Sequence, residues 1–345
     1  MITDDTLREG LQTPGISFTV EEKLKLAQMI SEAGIRRALV SYPSAHKSEY
    51  SVTKEIVRKK LFEDTFALGR TVISDIDSIF STGANISLHL PFKLENLDKV
   101  KEAIKYASRK ERKLEVAVVD VINHPEKEIL DVVRMVVEAG AHVIQLPDTT
   151  GSGSPSRIRS IIRGVKSVFD VEIEVHCHND MGGAIASTLA GIEAGAEYAD
   201  ATILGIGERN GISDTASLVS LLEEQEIQTG VDLSNLRKVY DAVLNLILKK
   251  IGYDFFLDNR PVYGKNTLIN TAGTHAAYSD VFTGQGVSVN VYTGRSMIRD
   301  ILRSHNVSLS EDSLGKLVSQ IKDEAVSTGN IVKVDRIIKI SEEYL

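Results

Sequence analysis

Short apolar runs alternate with amphipathic stretches that close on glycine. This rhythm predicts a parallel α/β fold, here a TIM (β/α)8 barrel with a small, mainly helical C-terminal extension. Three observations carry the prediction. The phrase Glu-Ala-Gly recurs at Glu32-Ala33-Gly34, Glu138-Ala139-Gly140 and Glu193-Ala194-Gly195, with a weaker form at Thr82-Gly83-Ala84. The intervals between these glycines are 49, 57 and 55 residues, each enough for two strand–helix units. No Gly-x-Gly-x-x-Gly follows the first strand, which turns the reading away from an open dinucleotide-binding sheet.

Taken in order, residues 2–6 form the first strand and the amphipathic stretch 20–33 the first clear helix. Its glycine leads into the apolar run Ala38-Leu39-Val40, the second strand. A third strand over 66–73 and a helix over 74–82 precede Ile86-Ser87-Leu88, the fourth. Residues 114–120 follow, then a helix over 126–139 and the run Val143-Ile144-Gln145-Leu146. The alternating, β-branched segment 171–178, a helix over 181–194 and the run from Tyr198 to Leu204 complete eight strands. Eight βα units in about 250 residues match a closed barrel. We therefore assign residues 1–255 to the barrel and 256–345 to a linker and helical subdomain acting as a lid or dimer element. Helices are predicted there over 295–304, 311–327 and 330–343.

Composition narrows the class. The 345 residues are 42% hydrophobic and 26% charged, as in an ordinary globular protein. The net charge of −8, without blocks of either sign, argues against a nucleic-acid surface. A single cysteine, Cys177, excludes an intrachain disulfide and fits a reducing cytosol. No run approaches the about 18 apolar residues of a membrane span, and the first strand begins almost at Met1. The expectation is a cytoplasmic protein with small-molecule partners.

The densest chemistry lies in His176-Cys177-His178-Asn179-Asp180. Residues two apart on a strand share a face, so Glu174, His176 and His178 form one row that can hold a divalent cation. A bare His-x-His is equally consistent with two core or surface histidines. Three other polar clusters also fall at strand C-termini, where barrel active sites lie. They are Asp4-Asp5-Thr6-Leu7-Arg8-Glu9-Gly10-Leu11-Gln12, Pro147-Asp148-Thr149-Thr150-Gly151 and Gly205-Ile206-Gly207-Glu208-Arg209-Asn210-Gly211.

Together with Ala272-Gly273-Thr274-His275-Ala276, these motifs resemble the acyltransferase branch of the metal-dependent aldolase-like barrels, which includes the homocitrate, 2-isopropylmalate and citramalate synthases. Arg8-Glu9 and Glu208-Arg209-Asn210-Gly211-Ile212 are most similar to homocitrate synthase. The resemblance implies condensation of an acyl-CoA, acetyl-CoA being the expected donor, with a 2-oxo acid, in amino-acid biosynthesis. It implies Glu9, His176 and His178 as ligands of a divalent metal ion (Mg, Mn or Zn). It implies Arg8 as stabiliser of the developing oxyanion and His275 as general base or acid. Gln12 and Thr149 would orient the substrate carboxylate, and Glu174 would contact substrate or support a histidine. A homodimer is expected, with tails reaching over neighbouring barrels.

The acceptor pocket departs from the family. Leu39 stands where a glutamate is usual, and the strand over 114–120, which in the family ends in a polar cluster, reads Glu115-Val116-Ala117-Val118-Val119-Asp120, leaving Asp120 and Asn123. Tyr278 and Tyr292 miss the spacing of the tyrosine that assists the tail histidine. No basic clamp for a long dicarboxylate is evident, although His89, Arg70 or Lys93 could supply one. A smaller or less charged 2-oxo acid is therefore expected, without feedback through a large C-terminal regulatory domain. Two alternatives stand beside this reading. One is a metal-dependent C–C lyase or aldolase, although the Gly-Cys-Pro loop of the hydroxymethylglutaryl-CoA lyases is missing here. The other is an impaired paralogue serving as a structural or regulatory subunit.

Overall fold

The computed structural model describes residues 1–91, 97–252, 266, 269–271 and 286–345. Eight parallel strands close into a barrel in sequence order. They are β1 (Ile2–Asp4), β2 (Arg37–Leu39), β3 (Asp64–Arg70), β4 (Asn85–His89), β5 (Leu114–Ala117), β6 (Val143–Asp148), β7 (Glu172–Cys177) and β8 (Tyr198–Ala201). β8 returns to β1 through the pairs Ile2 with Ala199 and Asp4 with Ala201, so no edge is left open. The predicted barrel is thus the observed one. β1, β5 and β8 end before the expected residues 6, 120 and 204, β2 starts one residue before the expected 38–40, and β3 both starts and ends before the expected 66–73. Asp75 causes the early stop of β3, taking the Arg70 N–H at 3.0 Å and turning the chain into the helix Ile73–Thr82.

The helices form where local chemistry starts and stops them. In α1 (Val20–Glu32), Thr19 and Glu22 build a capping box, with Glu22 N donating to Thr19 Oγ1 at 3.2 Å and Thr19 N to Glu22 Oε2 at 2.8 Å. Its buried face, Leu26, Ala27 and Ile30, packs on the sheet. Gly34 then turns the chain at φ +92°, where an added Cβ would meet the Gly230 carbonyl oxygen at 2.3 Å. The second helix, α2 (Lys47–Lys59), buries Val52 and Ile56 in the same core.

The predicted tail helices are present as Arg295–Ser304, Glu311–Thr328 and Val334–Ser341, around a core of Ile298, Leu317, Ile321 and Ile337. This unit is tied to its own barrel. His46 Nε2 meets Asp323 at 2.8 Å, and Lys250 Nζ donates to the Gly329 carbonyl at 2.7 Å. Asn290 Nδ2 donates to the carbonyls of Leu11 and Ile16, and the Gly15 N–H to Ser288 Oγ at 3.1 Å. The segment before the tail helices therefore grips the loop after β1. Among the described residues, no helix is long and apolar enough to cross a membrane.

Candidate active site

The loop after β1 is wound tightly so that its polar side chains turn inward. The Asp5 carbonyl accepts the N–H groups of Arg8, Glu9 and Gly10 at 3.2, 2.7 and 3.2 Å. The buried Arg8 guanidinium is forked onto both oxygens of Asp5, with Nε on Oδ1 at 3.0 Å. Its Nη1 reaches Glu9 Oε2 at 2.6 Å and Gln12 Oε1 at 3.4 Å. The other Glu9 oxygen accepts the Glu208 N–H at 2.8 Å, which locks the first loop to the one after β8.

β7 brings the two histidines to the same place. His176 Nδ1 donates to Asp200 Oδ2 at 2.7 Å, which directs its Nε2 lone pair into the barrel mouth. There it lies 3.3 Å from His178 Nε2. Among the described residues, Glu9, His176 and His178 present ligand atoms all within 4.8 Å of one another, and all three are buried. Metal–nitrogen bonds of about 2.1 Å in a tetrahedron set the nitrogens about 3.4 Å apart, so the histidine spacing suits a divalent ion. Asp5, His176 and Asp200 form a second such group that shares His176.

Other predicted residues lie around this centre. Arg209 is forked onto Asp180 at 2.8 and 2.7 Å and donates to the Thr149 carbonyl at 2.7 Å, fixing the ends of β6 and β7 together. Thr149 Oγ1 accepts the Asp120 N–H at 3.0 Å, so its own O–H remains a donor. Asp148 accepts N–H groups of Ser152 and Gly153 at 3.2 and 2.8 Å, while burial lifts its carboxyl to about 6. His89 ends β4, half-buried and paired in register with Ala117. Arg37 faces the barrel interior, so Leu39 two residues on does too, and it neighbours Phe66 of β3.

Several expectations change. Glu174 does share the inward face, but two residues below His176 it lies in the barrel floor. There its Oε2 accepts Arg37 Nη2 at 2.5 Å and Nε at 3.2 Å. A carboxylate held this way is not a substrate contact. Arg70 is no clamp for a substrate, because Asp75 takes its Nε at 2.9 Å and its Nη2 at 3.0 Å. Tyr292 is spent on Glu49, to which its hydroxyl donates at 2.7 Å. Cys177 packs in the core between sheet and helices, away from the histidine face. His275, Lys93 and Tyr278 lie outside the described residues.

Asp200, Gln145 and Arg37 were not singled out by motif reading. Their signal is a polar residue at alternate positions of an otherwise apolar strand, as in Tyr198-Ala199-Asp200-Ala201 and Arg37-Ala38-Leu39.

A family model described as HMGL-like matches residues 1–243. The chain belongs to the HMGL-like family. Relatives named as synthases are similar to this chain. A probable 2-isopropylmalate synthase of Ignicoccus hospitalis is 31% identical over 373 residues, covering 100% of this chain and 92% of that one. A probable 2-isopropylmalate synthase of Methanopyrus kandleri is 30% identical over 353 residues, covering 93% and 69%. The homocitrate synthase of Pyrococcus abyssi is 31% identical over 290 residues, covering 80% and 79%. Among solved structures, the Bacillus subtilis HMG-CoA lyase superposes with a TM-score of 0.63 at 19% identity, covering 77% of this chain and 96% of that one. At that identity the likeness speaks for the fold of this HMGL-like chain alone.

Proposed function

We propose that this enzyme condenses an acyl-CoA, acetyl-CoA by its kinship with the synthases, with a 2-oxo acid whose tail is short or apolar. The new C–C bond leaves a CoA thioester, which water hydrolyses to a 2-hydroxy-2-alkyl dicarboxylic acid and free CoA. The observation that carries the reading is the convergence of Glu9, His176 and His178 beside Arg8. A divalent ion (Mg, Mn or Zn) held by those three residues supplies Lewis-acid polarisation of the 2-oxo carbonyl.

The remaining steps fall to the chain's own groups. Arg8, fixed by Asp5 and Glu9, offers a rigid guanidinium to the oxygen on which charge develops, so little reorganisation is needed during reaction. Gln12 and the Thr149 hydroxyl hydrogen-bond the substrate carboxylate, with His89 on the far wall. His275 moves the proton of the donor's methyl group. Asp200 holds the proton on His176 Nδ1 and so keeps Nε2 available as a ligand. The buried apolar side chains Leu39, Phe66 and Ala117 on the inner wall favour an apolar acceptor. In keeping with the same reading, residues 1–255 form the catalytic barrel and 256–345 a lid or dimer element. The enzyme works as a cytoplasmic homodimer in amino-acid biosynthesis.

The test is release of free CoA thiol from acetyl-CoA with a panel of 2-oxo acids and Mg, Mn or Zn. Turnover with apolar-tailed acids and little with 2-oxoglutarate supports the reading. No thiol release with any acceptor overturns it.

A further inference from the structure

Glu208 carries a buried carboxylate that the condensation does not use. Its Oε1 accepts the Thr271 N–H at 3.0 Å, so the loop after β8 is met by the main chain of the C-terminal extension, 63 residues on. A carboxylate taken out of water needs such donors, and this one comes from outside the barrel.

Thr271 is delivered by a short parallel pair. β9 (Ile269–Asn270) runs beside β10 (Gly286–Val287), with Asn270 opposite Val287, so Thr271 and Ser288 leave the pair side by side. Beyond β10 the chain turns at Asn290, whose carbonyl accepts the Thr293 N–H at 3.1 Å. The Thr293 hydroxyl accepts the Asn290 N–H at 2.9 Å and donates to the Thr271 carbonyl at 3.3 Å.

These bonds close a ring. From Glu9 it passes to the Glu208 N–H at 2.8 Å, then through the Glu208 carboxylate to Thr271, Thr293 and Asn290. The Asn290 side chain returns it to the Leu11 carbonyl, two residues beyond Glu9. All six residues are buried, so a lost bond is not readily replaced by water. Arg8 holds one Glu9 oxygen from within its own loop, and the ring holds the other.

We propose that Thr293 is a positioning residue for Glu9: its hydroxyl seats Thr271 against Glu208 and so fixes the main-chain N–H on which the Glu9 carboxylate is held. The consequence for metal binding rests on the reading of Glu9, His176 and His178 as ligands. The consequence for the Glu208 N–H does not.

The experiment compares the wild type with Thr293→Val, which keeps the shape and loses both hydroxyl bonds. Hydrogen exchange of the Glu208 amide, followed by NMR without metal, should quicken about 10-fold, the scale of one net hydrogen bond. Mn or Zn affinity, measured by chelator competition, should fall by about 10-fold. Thr293→Ser restores the hydroxyl and should return both readouts to wild-type values. Ile337→Val weakens the tail's own core outside the ring and should move neither.

A folded Thr293→Val protein with Glu208 exchange at the wild-type rate overturns the proposal, as does faster exchange with undiminished metal affinity. Failure of Thr293→Ser to restore the readouts, or an equal shift in Ile337→Val, also overturns it. If the wild type binds no metal while the exchange still responds to Thr293, the metal reading fails and the positioning role stands. Should Thr293→Val not fold, Thr293→Cys leaves a weak S–H donor in place of the hydroxyl. It is expected to quicken the same exchange by a smaller factor, and no change overturns the proposal.

Discussion

His176 Nε2 and His178 Nε2 face each other at 3.3 Å across the inner side of β7, with a carboxylate of Glu9 in the same small volume. At this distance one Nε2–H can donate to the other nitrogen, and a cation bound between two lone pairs takes the place of that proton. Metal should therefore stabilise the fold. At about 100 times its Kd, a ligand specific for the native state contributes about 2.7 kcal/mol. Stripping metal with a chelator should lower the Tm by a few degrees in calorimetry, and adding Mn or Zn should restore it. His178→Ala should melt at one temperature under both conditions.

Arg8 is the group most exposed to conservative replacement, because its function depends on a fork rather than on charge. Arg8→Lys retains the cation but cannot hold both oxygens of Asp5 while reaching Glu9. Its kcat should fall by about 100- to 1000-fold, as for loss of a preorganised donor. The KM for the acyl-CoA should change little, which steady-state kinetics can separate.

Leu39 should govern the length of acceptor tail. Leu39→Ala opens space on the inner wall beside Phe66. The ratio of kcat/KM for a tail one carbon longer over the native acceptor should rise about 10-fold, the scale of a methylene in an apolar pocket. The cavity should also cost about 2–5 kcal/mol of stability, measurable by urea unfolding.

Asp4 should make stability depend on pH. Burial lifts its carboxyl from 3.8 to about 7, against hydrogen bonds from Thr6 N at 3.1 Å and Thr6 Oγ1 at 2.8 Å. Between those values the folded chain binds a proton that the unfolded chain releases. This group's contribution is therefore full below pH 3.8 and is lost as pH rises towards 7. Asp4→Asn should remove that slope. The gap between urea midpoints at pH 5 and pH 8 should be smaller in the variant than in the wild type.

The barrel was legible because its glycines and strand runs are local signals. Gly34 and Gly140, both at positive φ, sit where the repeated phrase placed them. The histidine row was legible for the same reason, since a period of two sorts the faces of a strand. That period gives the face and not the depth. Glu174 lies two residues, about 6.6 Å, below His176 along the strand, and this takes it from the mouth to the floor. Arg37, Asp200 and Gln145 stayed hidden because their roles come from strands that meet only on closure, β2 with β7 and β6 with β8. Arg70 was misleading because its partner, Asp75, comes from the helix that follows.

Asn290 and Ser288 have a consequence for how this chain can be rearranged. Their hydrogen bonds reach back to Leu11, Gly15 and Ile16, on the loop that also carries Arg8 and Glu9. Tail and catalytic loop are therefore inherited as a pair. A chimera joining this barrel to a relative's tail keeps its chemistry only if the graft brings equivalents of both side chains.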